Sequence, residues 1–272
     1  MMSAGSLRRR FGTDYPLLQW VVFLEVLFLA LPTLIILVAS FGGGDIITFP
    51  PENLSAKWYV SLLSNQDYID AFANSVLVAT FCTALAIPAG VLTAVGLNRY
   101  DIRFENTIRL YLLLPFTIPL VVSGVILLIL FGRLGWINQL WAVGLALTVI
   151  NLPFMIWSVS SSVNGLDPML ENAARNLGAG RFQTFLHVTL PAILPGIISG
   201  SLLMFILGLN EFVVSLIITT PQTRTLPVQI YSAIRGNISP EIAAVSSIYV
   251  VIAIVAILVA DRTVGLDQFL ES

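Results

Sequence analysis

The apolar positions of this chain come in long runs rather than in the spaced patterns of a soluble helix or strand. A helix needs about 20 apolar residues to cross the hydrocarbon of a bilayer. Six segments approach or exceed that length: Leu17–Ser40, Phe72–Leu97, Ile108–Phe131, Trp136–Ser158, Ile193–Thr220 and Ala243–Ala260. The pattern predicts an all-α integral membrane protein with about six spans. Asn138, Gln139 and Asn151 interrupt the fourth segment. Pro32, Pro88, Pro115, Pro119, Pro153 and Pro195 fall inside spans. Membrane helices tolerate such breaks where neighbouring groups satisfy the freed carbonyls.

The polar intervals predict an orientation. With the N-terminus in the cytosol, Arg8, Arg9, Arg10, Arg99, Arg103, Arg109, Arg175, Arg181 and Arg262 are cytosolic, and Lys57, Arg133, Arg224 and Arg235 are external. The excess of cations inside places both termini in the cytosol. The run after Arg8–Arg10 is longer than the apolar core of a signal peptide, contains Glu25, and is followed by no clear small-x-small cleavage site. It is expected to be an uncleaved first span. The loops Phe41–Ala71 and Pro221–Ile242 then face outward, where they serve either as plain connectors or as the landing place of an external partner.

Composition agrees with a lipid environment. The 272 residues are 57% hydrophobic and 10% charged, against about 25% charged in a soluble domain. Mean hydropathy is +0.92. A net charge of −2 offers no basic field to nucleic acid. The single cysteine, Cys82, can form neither an internal disulfide nor a thiol metal site, and lies in an apolar run as a small core residue would.

The interval Val159–Leu190 stands out, being far longer than the cytosolic interval Asn98–Thr107. Asp167–Pro168 has the form of a helix start, with Asp as N-cap and Pro at the first helical position. Met169, Ala173, Ala174 and Leu177 follow at helical spacing and make one small apolar face. Gly178 and Gly180 end that helix. A second helical stretch, Arg181–His187, leads to Pro191 and the fifth span. The predicted element is a helix, a glycine turn and a helix at the cytosolic surface, either packed back on its own bundle or open to a partner that Ala173 and Ala174 allow to approach closely.

Here the chain resembles the membrane subunits of type I ABC importers. That family carries a loop of Glu-Ala-Ala, three residues, Gly, nine residues, Ile, one residue, Leu-Pro. Ala173, Ala174, Gly178, Leu190 and Pro191 fall on that spacing without a gap. Asn172 stands where the family usually has Glu, with Glu171 adjacent, and Val188 stands for Ile. Leu166–Asp167–Pro168, Asn210–Glu211–Phe212, Leu226–Pro227, Ile230–Tyr231 and Ser239–Pro240–Glu241 are similar to the spermidine/putrescine permease branch, its C-type subunit above all.

The resemblance implies the MetI-like permease fold with a cytosolic coupling helix, in a bacterial inner membrane. It divides the chain into a tail, first span and external loop (1–71), a core permease domain (72–262) containing the coupling loop (159–191), and a cytosolic tail (263–272). It implies a second homologous permease subunit, a dimer of ABC ATPase subunits, and an external or periplasmic binding protein that delivers a small, cationic, spermidine-like solute. Importers of opines, aminophosphonates or amino-acid-like solutes share this appearance. Glu171, Asn172, Ala173, Ala174, Gly178, Leu190 and Pro191 are then expected to form the ATPase-docking loop. ATP and Mg are expected in the partner ATPase, with no cofactor on this chain.

What is missing narrows the chemistry. No G-x-x-x-x-G-K-[S/T] phosphate loop occurs, so ATP hydrolysis by this chain is not expected. His187 is the only histidine, and no catalytic acid/base set can be assembled. An ion-coupled secondary transporter would function without an ATPase, but six spans are few for one. Two acids lie within predicted spans, Glu25 and Glu211. Intramembrane acids are costly and face a partner or a watery cavity. Asn210 and Glu211 are the candidates for lining a solute pathway. Glu211 alternatively bonds between helices, and Glu25 is a candidate for a contact with a neighbouring span or subunit. Gly196 and Gly200 make a G-x-x-x-G suited to close helix packing.

Overall fold

A computed structural model describes residues 16–236 and 239–264. The arginine run Arg8–Arg10 and the tail residues 265–272 lie outside the described residues. Helices dominate, and the only β pairing among the described residues is an isolated bridge between Gly42 and Leu54. The chain divides into two units, residues 1–64 with 237–251 and residues 65–236 with 252–272.

The first unit opens with α1, Pro16–Ala39. Most of its apolar side chains from Leu18 through Val38 stand exposed, as lipid contact requires. Glu25 is exposed among them. A connecting segment follows, held by a 2.6 Å hydrogen bond between the Ser40 and Tyr59 hydroxyls and by a tilted Phe41–Tyr59 ring contact. It leads to the short α2, Lys57–Ser64.

The second unit begins with α3, Gln66–Arg99. It starts before the predicted Phe72 because Asn65 caps it, accepting from the Asp67 amide at 3.1 Å. Then come α4 (Glu105–Tyr111), α5 (Leu114–Thr117), α6 (Leu120–Leu134) and α7 (Leu140–Gly165). The predicted third span is therefore no single rod: Glu105–Thr117 and Leu120–Leu134 meet at 98°. Pro119 cannot donate a backbone hydrogen bond and holds Ile118 extended. Asn138 and Gln139 precede α7, with Asn138 at φ 70, whereas Asn151 is buried inside it.

Beyond α7 lie α8 (Pro168–Asn176), α9 (Arg181–Thr184), a π turn (Phe185–Thr189) and α10 (Leu190–Ala192). After these come α11 (Leu194–Asn210), α12 (Val213–Ile218) and α13 (Leu226–Gly236). The predicted fifth span is also divided. Arg181–Ala192 and Leu194–Asn210 are bent by 66° at Ile193, between Pro191 and Pro195, which both lack the amide a straight helix would use. A second break separates α11 from α12. Helix α14, Pro240–Val264, begins in the first unit and contains the predicted sixth span.

By length and composition, and among the described residues, three helices, α1, α3 and α7, can cross a membrane uninterrupted, and the two bent pairs bring the number to five. The bundle core of the second unit forms where α3, α7 and α11 pack on one another, with α12 against α6. Val78, Cys82, Leu147, Met155, Val159 and Met204 fill it. Glycine permits the closest approach. A Cβ on Gly196 would lie 2.7 Å from the Ser158 carbonyl, and Ser158 Oγ donates to the Gly196 carbonyl at 2.9 Å. The G-x-x-x-G of Gly196 and Gly200 thus serves packing against α7 of the same chain.

Candidate functional site

The loop between α7 and α11 is assembled from local signals. Asp167 is the N-cap of α8, and its carboxylate accepts from the Met169 amide at 2.8 Å. Pro168 occupies the first turn, where its missing N–H costs nothing. The other end closes through two backbone bonds. Gly178 N–H donates to the Arg175 carbonyl at 3.0 Å, and Ala179 N–H donates to the Ala174 carbonyl at 3.1 Å. This is a Schellman closure, which needs a left-handed residue just past the helix. Gly178 supplies it with φ +92, and a Cβ there would meet nothing within 4 Å. The interval from Ala174 to Gly178 is thus the spacing of a helix C-cap: the alanine carbonyl accepts, and the glycine turns the chain.

The face that α8 presents is apolar and uncovered. Leu177 is 90% exposed, and Met169, Leu170 and Phe182 are also exposed. Asn172, Ala173 and Gly178 lie on the surface as well, and Ala174 is half-buried. Helical spacing had pointed to Met169, Ala173, Ala174 and Leu177 as a small face. It had not singled out Leu170 or Phe182, although a phenylalanine between Arg181 and Gln183 was a usable signal.

Glu171 behaves differently from the rest of α8. It is 6% exposed and turned toward the bundle. Thr189 Oγ1 donates to Glu171 Oε1 at 2.6 Å. Arg99 Nε sits 3.0 Å from Glu171 Oε2, an ion pair in which the N–H is not aligned for a hydrogen bond. Arg99 Nη2 also donates to the Leu166 carbonyl at 2.9 Å, closing the end of α7. Neither Arg99 nor Thr189 was legible as a partner, since they are 72 and 18 positions away from Glu171 along the chain. Leu190 packs half-buried against the core and Pro191 is exposed. His187, by contrast, has an exposed ring whose Nδ1 lies 3.0 Å from the Gln183 carbonyl.

The second candidate region is the break after α11. Asn210 ends that helix, exposed, with its Nδ2 donating to the Ile206 carbonyl at 2.9 Å. Glu211 is extended. Its Oε1 accepts from Val214 N–H and its Oε2 from Ser215 N–H, each at 2.8 Å. The carboxylate therefore caps α12, satisfying amides that would otherwise be orphaned where the helix restarts. Phe212 lies with its ring 5.0 Å from that of Tyr231, and the Arg235 guanidinium sits over Tyr231 at 5.8 Å. The break thus brings a carboxylate, an exposed amide and two aromatic rings together.

Residues 86–266 match the family described as "Binding-protein-dependent transport system inner membrane component". The chain is 31% identical to the Escherichia coli K12 spermidine/putrescine transport system permease protein PotC over 241 residues, covering 89% of this chain and 90% of that one. It is 31% identical to the putrescine transport system permease protein PotI of the same organism, covering 84% and 83%. A probable molybdenum ABC transporter permease of Haloferax volcanii is 35% identical over 204 residues, covering 72% and 76%. In fold the chain resembles a bacterial ABC transporter involved in import of the acidic polysaccharide alginate, with a TM-score of 0.71 and 17% identity over 97% of this chain and 99% of that one. It also resembles the MetNI methionine ABC transporter, with a TM-score of 0.60 and 20% identity over 76% and 96%.

Proposed function

The chain belongs to the family of binding-protein-dependent transport system inner membrane components, non-catalytic permease subunits served by a separate ATPase, and from that premise we propose that it forms half of the pathway of an ATP-driven importer for a small cationic solute of polyamine type. A second, homologous permease completes the pathway, two ATPase subunits dock on the cytosolic side, and an external binding protein delivers the solute. Both termini are cytosolic in this reading, and the membrane is the bacterial inner membrane.

The observation that carries the docking is the uncovered apolar face of α8. Met169, Leu170, Leu177 and Phe182 are exposed together rather than singly, and an apolar patch of that kind marks a surface that a partner covers. Ala173, Ala174 and Gly178 keep the backbone of that face low, so an ATPase cleft can close around it. Asn172 and the side chains beside it make the contact, with exposed Pro191 at the end of the loop, while Leu190 anchors the loop to the bundle. Glu171 faces inward, so the docking contact here does not draw on its charge.

For the pathway, Asn210 and Glu211 are the best candidates. An exposed amide and a partly exposed carboxylate at a helix break amid apolar residues are costly in lipid, and water or a partner relieves the cost. A carboxylate so placed attracts a cationic amine in a low dielectric. The similarity to PotC and PotI favours polyamines, and the Haloferax relative makes an oxyanion the alternative to exclude.

The test is to co-express the chain with its permease partner, ATPase and binding protein and to reconstitute the complex. Spermidine or putrescine, delivered through the binding protein, should stimulate ATP hydrolysis. Stimulation by molybdate and not by either amine would overturn the substrate assignment. A complex from which the ATPase is absent would overturn the docking assignment.

A further inference from the structure

Glu171 is a buried carboxylate that neither docking nor the solute pathway uses. It joins three parts of the chain at one point. Helix α8 carries it, Arg99 meets it from the last turn of α3 at 3.0 Å, and Thr189 meets it from the π turn that leads into α11 at 2.6 Å. The Arg99 guanidinium also closes the end of α7 through the Leu166 carbonyl. The other charged and amide side chains of α8, Asn172, Arg175 and Asn176, are exposed.

We infer that Glu171 is a two-armed clamp which delivers a displacement of α8 to α3 through Arg99 and to α11 through Thr189. Each arm has a physical reason to transmit. The ion pair is shielded from water, so it is screened little, and separating it leaves a charge buried without its partner. The Thr189 bond is short and charge-assisted. It is made at a π turn, where the helix is widened by one residue; such turns often mark functional positions. Leu190 N–H reaches back to the Phe185 carbonyl there, which sets Thr189 facing α8 immediately before the 66° bend into α11. A push on α8 therefore meets α11 at its elbow and α3 at its end. Proximity alone would not establish such coupling; two arms that can be cut separately make it testable.

The inference rests on the importer reading, since it needs an ATPase that moves α8. The experiment places a single fluorescent thiol label at Leu92→Cys on α3 or Leu203→Cys on α11, both exposed positions, in a Cys82→Ala background. Each labelled chain is assembled with its permease partner and ATPase, and the label's signal is compared before and after trapping with ATP and vanadate. In the parent both labels should respond. Glu171→Ala should reduce both responses by roughly fivefold or more, the lower end of ordinary coupling, with the ATPase still bound and still hydrolysing ATP.

The arms should separate. Thr189→Val should reduce the α11 response and spare α3, whereas Arg99→Gln should do the reverse. Exchanging the charges, Arg99→Glu with Glu171→Arg, should restore part of the α3 response, which a merely structural role would not produce. Should Glu171→Ala fail to assemble, Glu171→Gln keeps the shape and the Thr189 acceptor and should lose the α3 response alone. Full responses from both labels in the Glu171 variants would overturn the clamp and leave the importer reading standing. Parent labels that ignore nucleotide would overturn both.

Discussion

Two glutamates in this chain solve the same problem with opposite means. Glu211 sits where α11 gives way to α12, and its two oxygens are held by the amides of Val214 and Ser215, three and four residues further on. Glu171 sits on α8, and its two oxygens are held by Arg99 and Thr189, which the fold brings from other helices. The first is a local cap, complete as soon as the turn forms. The second exists only when three segments have docked. Local caps make breaks that a membrane helix can sustain; long-range pairs make linkages that one segment can pull on. The chain places the local device at the break beside its proposed solute pathway and the long-range device behind its proposed docking loop.

The largest effect should come from cutting the long-range pair. Glu171→Ala leaves the Arg99 charge buried without its partner, a change that costs about 3–5 kcal/mol. Thermal unfolding of the purified chain in detergent should show the loss, and solute uptake by the assembled transporter should fall much further than ATP hydrolysis. A variant as stable as its parent would show that the pair is an incidental contact and would dissolve the contrast between the two acids.

Next in size is the turn that ends α8. Gly178→Ala has open space for its methyl group, so its whole effect is the left-handed backbone, about 1–2 kcal/mol. The loss should appear as fraying of α8 in hydrogen exchange confined to residues near 172–180. Gly178→Asp adds a charge to the docking face and should in addition uncouple ATP hydrolysis from uptake. Coupling that survives Gly178→Asp would count heavily against docking at this loop.

Glu211→Gln should be milder in stability. The amide keeps one oxygen for one backbone N–H and loses the second bond and the charge, about 1 kcal/mol. Assembly with the ATPase should be unchanged while amine uptake slows. Uptake at the parent rate would reduce Glu211 to its capping role. The smallest effect is expected at Asn172, whose side chain is exposed. Asn172→Glu restores the residue usual in the family and should leave thermal stability unchanged; co-purification of the ATPase at parent level or better is the expected result. A weaker complex would show that the partner cleft has adapted to an uncharged residue here.

Much of the architecture was legible in the order of residues. Runs of apolar side chains announced α1, α3 and α7, because a helix that meets lipid needs length and apolarity and little else. The ends of α8 were legible too: Asp167–Pro168 and Gly178 act on amides and carbonyls within four residues of themselves. Proline marked where the third and fifth apolar runs were vulnerable, but not what happened there. The same imino acid sits inside unbroken α3 at Pro88 and α7 at Pro153, yet it accompanies a 98° turn at Pro119 and a 66° turn near Pro191 and Pro195. The surrounding packing decides between a helix that continues and one that breaks.

What the sequence by itself determined is therefore whatever depends on composition and on neighbours within one helical turn: membrane residence, the long rods, the caps of α8, and the glycine that closes it. Only the tertiary structure decided which of two adjacent residues, Glu171 and Asn172, faces the bundle and which faces outward, and that Arg99 and Thr189 would meet the inward one. It also decided that Gly196 and Gly200 of α11 would pack on α7 of the same chain. The physical reason is the range of the forces involved. Capping and solvation by lipid act on a residue where it stands in the chain, whereas an ion pair and a close helix contact require groups that only folding brings within a few ångströms.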